Sequence, residues 1–319
     1  MDPVMTRLTS FYRGRRVMVT GHTGFKGSWL CLWLAGLGAK VSGYALAPPT
    51  SPAMFDLCGV ADDLVHTIGD IRDTERLEAA MRAASPDVVF HLAAQPLVRR
   101  SYIEPIETLD VNVMGTARVL EAVRKLGAPC SLVVVTSDKC YANREWPWGY
   151  RETEPMGGSD PYSMSKGATE LVVESWRRSF AGRDGHGVRI ASARAGNVIG
   201  GGDWAAERIM TGRAFAAGEP VRLRNPLATR PWQHVLEPLS GYLWLGARLS
   251  DPDGASLADG WNFGPRADDI ATVRTLTEMA GHVWGDGQWV LHDEASPPKE
   301  AMSLSPVSYT HLRAHETWL

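Results

Sequence analysis

The chain has 319 residues, 44% of them apolar, and a formal net charge of −3. That is enough length for a large domain with a smaller attached lobe, and enough apolar mass for a sizeable core. The near balance of charge excludes a global pull toward nucleic acid or an anionic membrane surface, so any anionic ligand must be held by local groups.

Residues 1–15 read as a polar lead-in. A first strand is predicted over 16–20. It runs into Thr20-Gly21-His22-Thr23-Gly24-Phe25-Lys26-Gly27, and an apolar helix follows over about 28–37. Strand, glycine-rich turn, helix is the order of a phosphate-holding βα unit. Gly21, Gly24 and Gly27 allow a tight turn, close ligand approach and close helix-on-sheet packing. The helix N-terminus would face a pyrophosphate. The spacing is G-x-x-G-x-x-G, not G-x-G-x-x-G, so the turn alone is also compatible with another βα unit.

Further strands are predicted at 41–45, 65–68, 88–92, 131–137 and 188–193. Helices are predicted at 74–84, capped by Asp73 or Thr74, at about 107–126 and at 162–180. The run 146–160 reads as a polar loop rich in proline and glycine. Such alternation implies an α/β fold, a doubly wound parallel sheet of Rossmann type, with ligands at the carboxyl ends of the strands near the switch point beside strand 1. From Gly196 the pattern breaks into loops rich in arginine, tryptophan and glycine, and 236–249 reads as a helix returning to the main domain. The expected division is a dinucleotide-binding domain over 1–195 with a return segment at about 229–265. A smaller substrate lobe is expected over 196–319, mainly 196–228 and 266–304.

Cys31, Cys58, Cys130 and Cys140 show no C-x-x-C spacing and read as reduced, mostly buried thiols of a cytoplasmic protein. The nine histidines are scattered without H-E-x-x-H, so no metal is expected. The N-terminus shows no signal-peptide core, and the longest apolar run, around 28–39, is too short to cross a bilayer.

Tyr162-Ser163-Met164-Ser165-Lys166 sets a tyrosine and a lysine one helical turn apart on one face. A tyrosine of pKa about 10 must drop by about 3 units, or about 4 kcal/mol, to act as a base near neutrality. A neighbouring ammonium acts in that direction. An exposed pair on a helix face would look the same in isolation. Ser137-Asp138-Lys139 ends the strand before that helix, where a serine can hydrogen-bond a substrate hydroxyl; a polar strand exit is the plainer alternative.

Taken together, these segments resemble the extended short-chain dehydrogenase/reductase superfamily, and within it the CDP-glucose 4,6-dehydratases. The resemblance covers about residues 12–304. It is carried by Thr20–Gly27, His91-Leu92-Ala93-Ala94-Gln95, the run 134–141, Tyr162–Lys166, the run 194–204, and Arg230-Pro231-Trp232-Gln233-His234-Val235. Related dTDP-glucose dehydratases typically carry Thr-Asp-Glu where this chain has Ser137-Asp138-Lys139. The resemblance implies that Tyr162 is the base at C4 of the glucosyl unit, supported by Ser137 and Lys166. It further implies that neutral Lys139 takes the C5 proton and that protonated Asp138 protonates the departing C6 hydroxyl.

By the same resemblance Gly21, Thr23, Gly24, Phe25, Lys26 and Gly27 line the cofactor pyrophosphate and Asp70 and Ile71 meet adenine. Leu92, Ala93 and Ala94 would lie near the ribose and nicotinamide half, beside Tyr162 and Lys166. Asn112 resembles a structural asparagine of the superfamily; a helix-bending role is equally open. Charge at the end of strand 2, Tyr44-Ala45-Leu46, does not separate NAD from NADP; the family implies NAD. Arg194, Asn197, Arg208, Arg222, Arg224 and Arg230 are candidates for the CDP diphosphate, since arginine suits forked phosphate contact, and about half are expected to touch it. Gln95 and Trp204 join the substrate set, although for Trp204 and Trp232 core packing is an equal reading. The implied partner is CDP-glucose, in a homo-oligomer, dimer or tetramer.

From Ser305 the resemblance stops. Residues 305–319 have no clear apolar period, so the expectation is a truncated chain ending in unrelated or frame-shifted residues, with part of the lobe missing, or else a natural divergent tail. Rival functions are a dTDP-glucose dehydratase, a nucleotide-sugar 4-epimerase with no work for Asp138 and Lys139, and a dinucleotide-sensing regulator.

Overall fold

The structure is a computed structural model that describes residues 3–146, 148–182, 187–203, 214–265, 270–285, 287–292 and 306. The chain opens with α1 (Pro3–Tyr12), β1 (Arg16–Thr20), α2 (Phe25–Gly36), β2 (Lys40–Ala45), α3 (Met54–Leu57), β3 (Val65–Ile68), α4 (Thr74–Ala84) and β4 (Val88–His91). It continues with α5 (Val98–Ile103), α6 (Pro105–Leu109), a π turn (Asp110–Met114), α7 (Gly115–Arg124), β5 (Cys130–Val135), α8 (Pro161–Ser179) and β6 (Val188–Ala195).

Neighbouring strand side chains point to opposite faces, and here both faces are apolar. Val17, Val19, Val88, Phe90 and Val133 face one core, whereas Met18, Val89, Leu132 and Val134 face the other. Helices α1 and α2 cover the first face, and α4, α7 and α8 cover the second. The main sheet has seven strands, all parallel, in the order β3-β2-β1-β4-β5-β6 and then β11 (Gly260–Phe263). Strand order reverses between β1 and β4, so the turns after those two strands lie side by side at the carboxyl edge.

Two expectations need correction. The polar lead-in is a helix, α1, because Val4, Met5, Leu8, Phe11 and Tyr12 form an apolar stripe between polar residues. Leu8 and Tyr12 are buried, and the Tyr12 hydroxyl donates to Leu243 O at 2.7 Å. The helix expected over 107–126 is α6, a π turn and α7 in succession, with one loosened turn around Asn112. The cysteines agree with the expectation of mostly buried thiols: Cys31, Cys130 and Cys140 are buried, Cys58 is exposed, and all four are free.

After β6 come short pairs: β7 (Val198–Ile199) with β10 (Gln233–His234), β8 (Val221–Leu223) with β13 (Trp289–Leu291), and β9 (Thr229–Arg230) with β12 (Ala271–Thr272). Helix α9 (Leu236–Leu249) returns to the first core, and β11 adds the seventh strand. A separate small core gathers Phe215, Val221 and Leu223, with Val273 and Ala280 of α10 (Val273–Trp284) packed against it. Of the 305–319 tail, only Pro306 lies among the described residues; it bridges to Tyr150.

Two histidines are buried neutral at the switch point. His91 sits between Thr20 Oγ1 at 2.7 Å and Thr116 Oγ1 at 3.0 Å. The Thr116 hydroxyl donates to Asn112 O, so the His91 Nε2 donates to Thr116 and Nδ1 accepts from Thr20. Burial pushes His91 down to about 3; burial, then His66, pushes His22 down to about 4. The unfolded chain therefore binds more protons, and stability is full above about pH 6.5 and falls as pH drops toward the folded values. At pH 5 each histidine should cost about 2 kcal/mol. Urea titrations from pH 7 to 5 should show this loss, with a shallower pH dependence in His91→Gln; an unchanged dependence would contradict the assignment.

Candidate active site

The turn after β1 is pressed against the turn after β4. Gly21 has φ +78°, and a Cβ there would meet Ala93 N at 2.7 Å. At Gly27 a Cβ would run into Gly21 O, so α2 can start this close to the sheet only without a side chain. The N-cap of α2 is Gly24, with no side-chain cap bond, leaving the first amides of the helix without a capping side chain. Thr23 Oγ1 donates to Leu46 O at 2.8 Å and ties the turn to the end of β2. The Lys26 ammonium reaches α9, donating to the Tyr242 hydroxyl at 3.5 Å. A backbone cradle, a helix N-terminus and a lysine fit a pyrophosphate. Asp70 is gripped by Arg72 at 2.6 Å, which holds its carboxyl below the usual range; Ile71 beside it is buried.

Helix α8 starts at Pro161, capped by Asp160, whose carboxylate accepts from Ser163 N at 2.9 Å. This puts Tyr162 in the first turn, with its own N–H donating to Ser101 Oγ at 3.1 Å. Lys166 lies one turn on. Lys139 approaches from the turn after β5, and the Nζ atoms of Lys166 and Lys139 each lie 5.9 Å from the Tyr162 ring centroid. A lysine ammonium this close to a phenol favours its anion.

Asp138 is 2% exposed. The Ser137 hydroxyl donates to its Oδ1 at 2.9 Å, and its Oδ2 lies over Gly196, where a Cβ would come within 3.1 Å. Burial raises the carboxyl above its ordinary value, against the pull of Lys139, the Ser137 bond and Arg230. The structure thus brings Ser137, Asp138, Lys139, Tyr162, Lys166 and Arg230 into one electrostatic neighbourhood.

Other expected residues lie elsewhere. Gln95 is not offered to a substrate: its amide donates to Leu97 O and Thr108 Oγ1 and accepts from Leu97 N, pinning its own loop. Arg194 also needs correction. It is buried in an ion pair with Glu170 at 2.8 Å and donates to the Tyr141 hydroxyl and Glu152 O, so it presents no surface to a diphosphate. Asn197 is half-buried, its carbonyl accepting from Gln233 N. Arg222 is exposed on β8, and Arg224 follows that strand half-buried. Trp232 donates to Ala271 O at 3.2 Å. Trp204 and Arg208 lie outside the described residues.

Asn112, at the π turn, joins two parts of the site. Its Oδ1 accepts from Gln95 N at 2.8 Å, and its Nδ2 donates to Gln95 O and to Ser165 Oγ. Sequence reasoning missed Glu170, although it falls on the face of α8 that carries Tyr162 and Lys166, at the same four-residue step. Stranding one member of a buried pair such as Glu170–Arg194 costs about 3–5 kcal/mol.

The sequence matches the GDP-mannose 4,6 dehydratase family over residues 18–263. The chain belongs to that family. Among similar proteins, a CDP-glucose 4,6-dehydratase of Salmonella typhimurium is 54% identical over 294 residues, which is 90% of this chain and 82% of the relative. The fold is shared with an epimerase from Methanothermobacter thermautotrophicus at TM-score 0.80, with 21% identity and coverage of 98% of this chain and 89% of that one. It is shared too with a dTDP-glucose 4,6-dehydratase double mutant from Streptomyces venezuelae solved with NAD, at TM-score 0.76 and 22% identity, covering 92% and 88%. These two structures share the fold whose sheet carries this site at its carboxyl edge.

Gly21→Ala should lose about 1–3 kcal/mol of stability, from the positive φ and the Ala93 contact, and should weaken NAD binding. Denaturant midpoints and cofactor titration would check both; wild-type values would mean the two turns can separate freely.

Proposed function

We propose that this chain is a CDP-glucose 4,6-dehydratase, a lyase converting CDP-D-glucose to CDP-4-keto-6-deoxy-D-glucose. The observation that carries the reading is the approach of Lys139, next in the chain to the buried Asp138, to the Tyr162 ring that Lys166 also flanks, in a chain 54% identical to the Salmonella typhimurium enzyme of that name. A 4-epimerase would have no work for the acid and the second amine. The cofactor is NAD, which supplies a hydride acceptor at C4 and a donor at C6, so net redox change is zero. Gly21, Thr23, Gly24, Phe25, Lys26 and Gly27 hold its pyrophosphate. Asp70 and Ile71 meet the adenine, while Leu92, Ala93 and Ala94 line the other half.

The chain's own residues move the protons. Tyr162 takes the proton of the C4 hydroxyl, its anion favoured by the Lys166 ammonium, and Ser137 orients that hydroxyl. A ketone at C4 then acidifies C5–H. Lys139, neutral for this step, takes the C5 proton. Asp138, whose carboxyl burial raises above its ordinary value, protonates the departing C6 hydroxyl, which leaves as water. Lys139 returns a proton to C5 as C6 is reduced. Arg222, Arg224 and Arg230, with Asn197, Trp204 and Arg208, are the remaining candidates for the nucleotide and diphosphate.

The division into a cofactor domain over 1–195 with a return at 229–265, and a substrate lobe, is supported by α9 and β11 joining the main sheet and by the separate small core. A homo-oligomer is supported by exposed apolar side chains on adjoining helices: Ile103 at 79%, Ile106 at 76% and Leu171 at 57%. Four free cysteines favour a cytoplasmic enzyme, and no described helix is long and apolar enough to cross a membrane.

Incubation with CDP-glucose and NAD should yield the 4-keto-6-deoxy sugar, and dTDP-glucose should be converted poorly. Asp138→Asn and Lys139→Ala should each lower turnover about 100-fold or more while retaining NAD binding. Full activity of both variants would overturn their roles, and a preference for dTDP-glucose would overturn the substrate.

A further inference from the structure

The turn that carries Ser137, Asp138 and Lys139 is fastened at both ends to one buried ion pair. Glu170 and Arg194 are 4% and 6% exposed. At the near end, the Thr136 hydroxyl donates to Glu170 Oε1, and Thr136 N donates to Ala193 O at 2.9 Å. At the far end, Arg194 Nη1 donates to the Tyr141 hydroxyl at 2.9 Å, and that hydroxyl donates to Asn262 Oδ1 at 2.7 Å. Between the ends, Glu170 Oε2 accepts from Arg194 Nη2 at 2.8 Å and from Ser192 Oγ at 2.7 Å. The room for the guanidinium comes from the neighbouring strand β11, where a Cβ on Gly260 would overlap it. Glu170 stands on α8 eight residues after Tyr162 and four after Lys166. One carboxylate therefore touches the helix that carries the tyrosine base, the strand beside it, and the turn that carries the acid and the second amine.

We propose that Glu170, Arg194 and Tyr141 are positioning residues that set the Asp138–Lys139 turn in register with Tyr162, so that water elimination follows oxidation on the same bound sugar. The inference rests on the dehydratase reading above. None of the three is needed to touch the substrate. Oxidation at C4 needs Tyr162 and Lys166, which α8 holds through its own cap and Asn112. Elimination needs Asp138 and Lys139 over the same ring, and their place depends on the clamp. Loosening it should therefore separate the two steps, since a shift of about 1 Å in a reacting group can cost about 100-fold.

The test uses Tyr141→Phe, which removes one clamp and leaves no stranded acid. It also uses Glu170→Gln with Arg194→Met, which replaces the charged pair by a neutral one that can pack. Single turnovers with CDP-glucose and NAD are followed by reduced-cofactor absorbance and by 4-keto-6-deoxy product, and amide exchange is read across 137–141. The expected result is elimination slowed about 100-fold, oxidation slowed far less, and faster exchange at 139–141 with β1 and β4 still protected. Equal slowing of both steps, loss of active fraction at unchanged rates, or wild-type exchange in the turn would overturn the proposal. A wild-type protein that makes no keto-deoxy product would instead sink the dehydratase reading, while the exchange measurement would still decide whether the clamp holds the turn.

Discussion

Two backbone turns meet at the carboxyl edge of the sheet with no side chain between them, and the site depends on that contact. The turn after β1 and the turn after β4 approach so closely that Gly21 abuts Ala93. Parallel strands leave the sheet at the same edge, and the change in strand order opens a crevice there. Had either turn carried a bulkier residue, α2 would stand off from the sheet, and Lys26 would lose its reach to Tyr242 on α9. The buried His91, bridging Thr20 on β1 and Thr116 on α7, stiffens the same junction from below.

Two acids illustrate how the same burial yields opposite chemistry. Asp138 and Glu170 are both removed from water, and burial alone raises both. Glu170 has Arg194 within ion-pair distance and two hydroxyl donors, and these outweigh burial and bring its carboxyl below the usual range. Asp138 has one hydroxyl donor and cations that only partly offset burial, so it lies above that range. One acid is a fixed anion in the framework and the other is able to hold a proton.

Much of this was legible in the sequence because it rests on local pattern. Apolar strands alternating with helices declare a parallel sheet, and the glycine turn and the Tyr162–Lys166 step are readable as spacing. The approach of Lys139 to the same ring follows from its position at the end of β5. What stayed hidden depends on partners far apart in the chain. Arg194 looks like a phosphate ligand until Glu170 and Gly260 are seen around it, and Gln95 looks available until Leu97 and Thr108 take up its amide. Helix α1 was hidden because its apolar stripe is diluted by Thr, Ser and Arg, and the surfaces it covers, α9 and one face of the sheet, come later in the chain.

The π turn over Asp110–Met114 has a consequence for what this segment can tolerate. It holds one residue more than a regular turn, and that surplus aims the Asn112 amide at Gln95 and Ser165. A one-codon deletion there would give a straighter and more regular helix, yet would swing the following side chains by about 100°. A local irregularity of this chain thus fixes the spacing between the β4 loop and the catalytic helix.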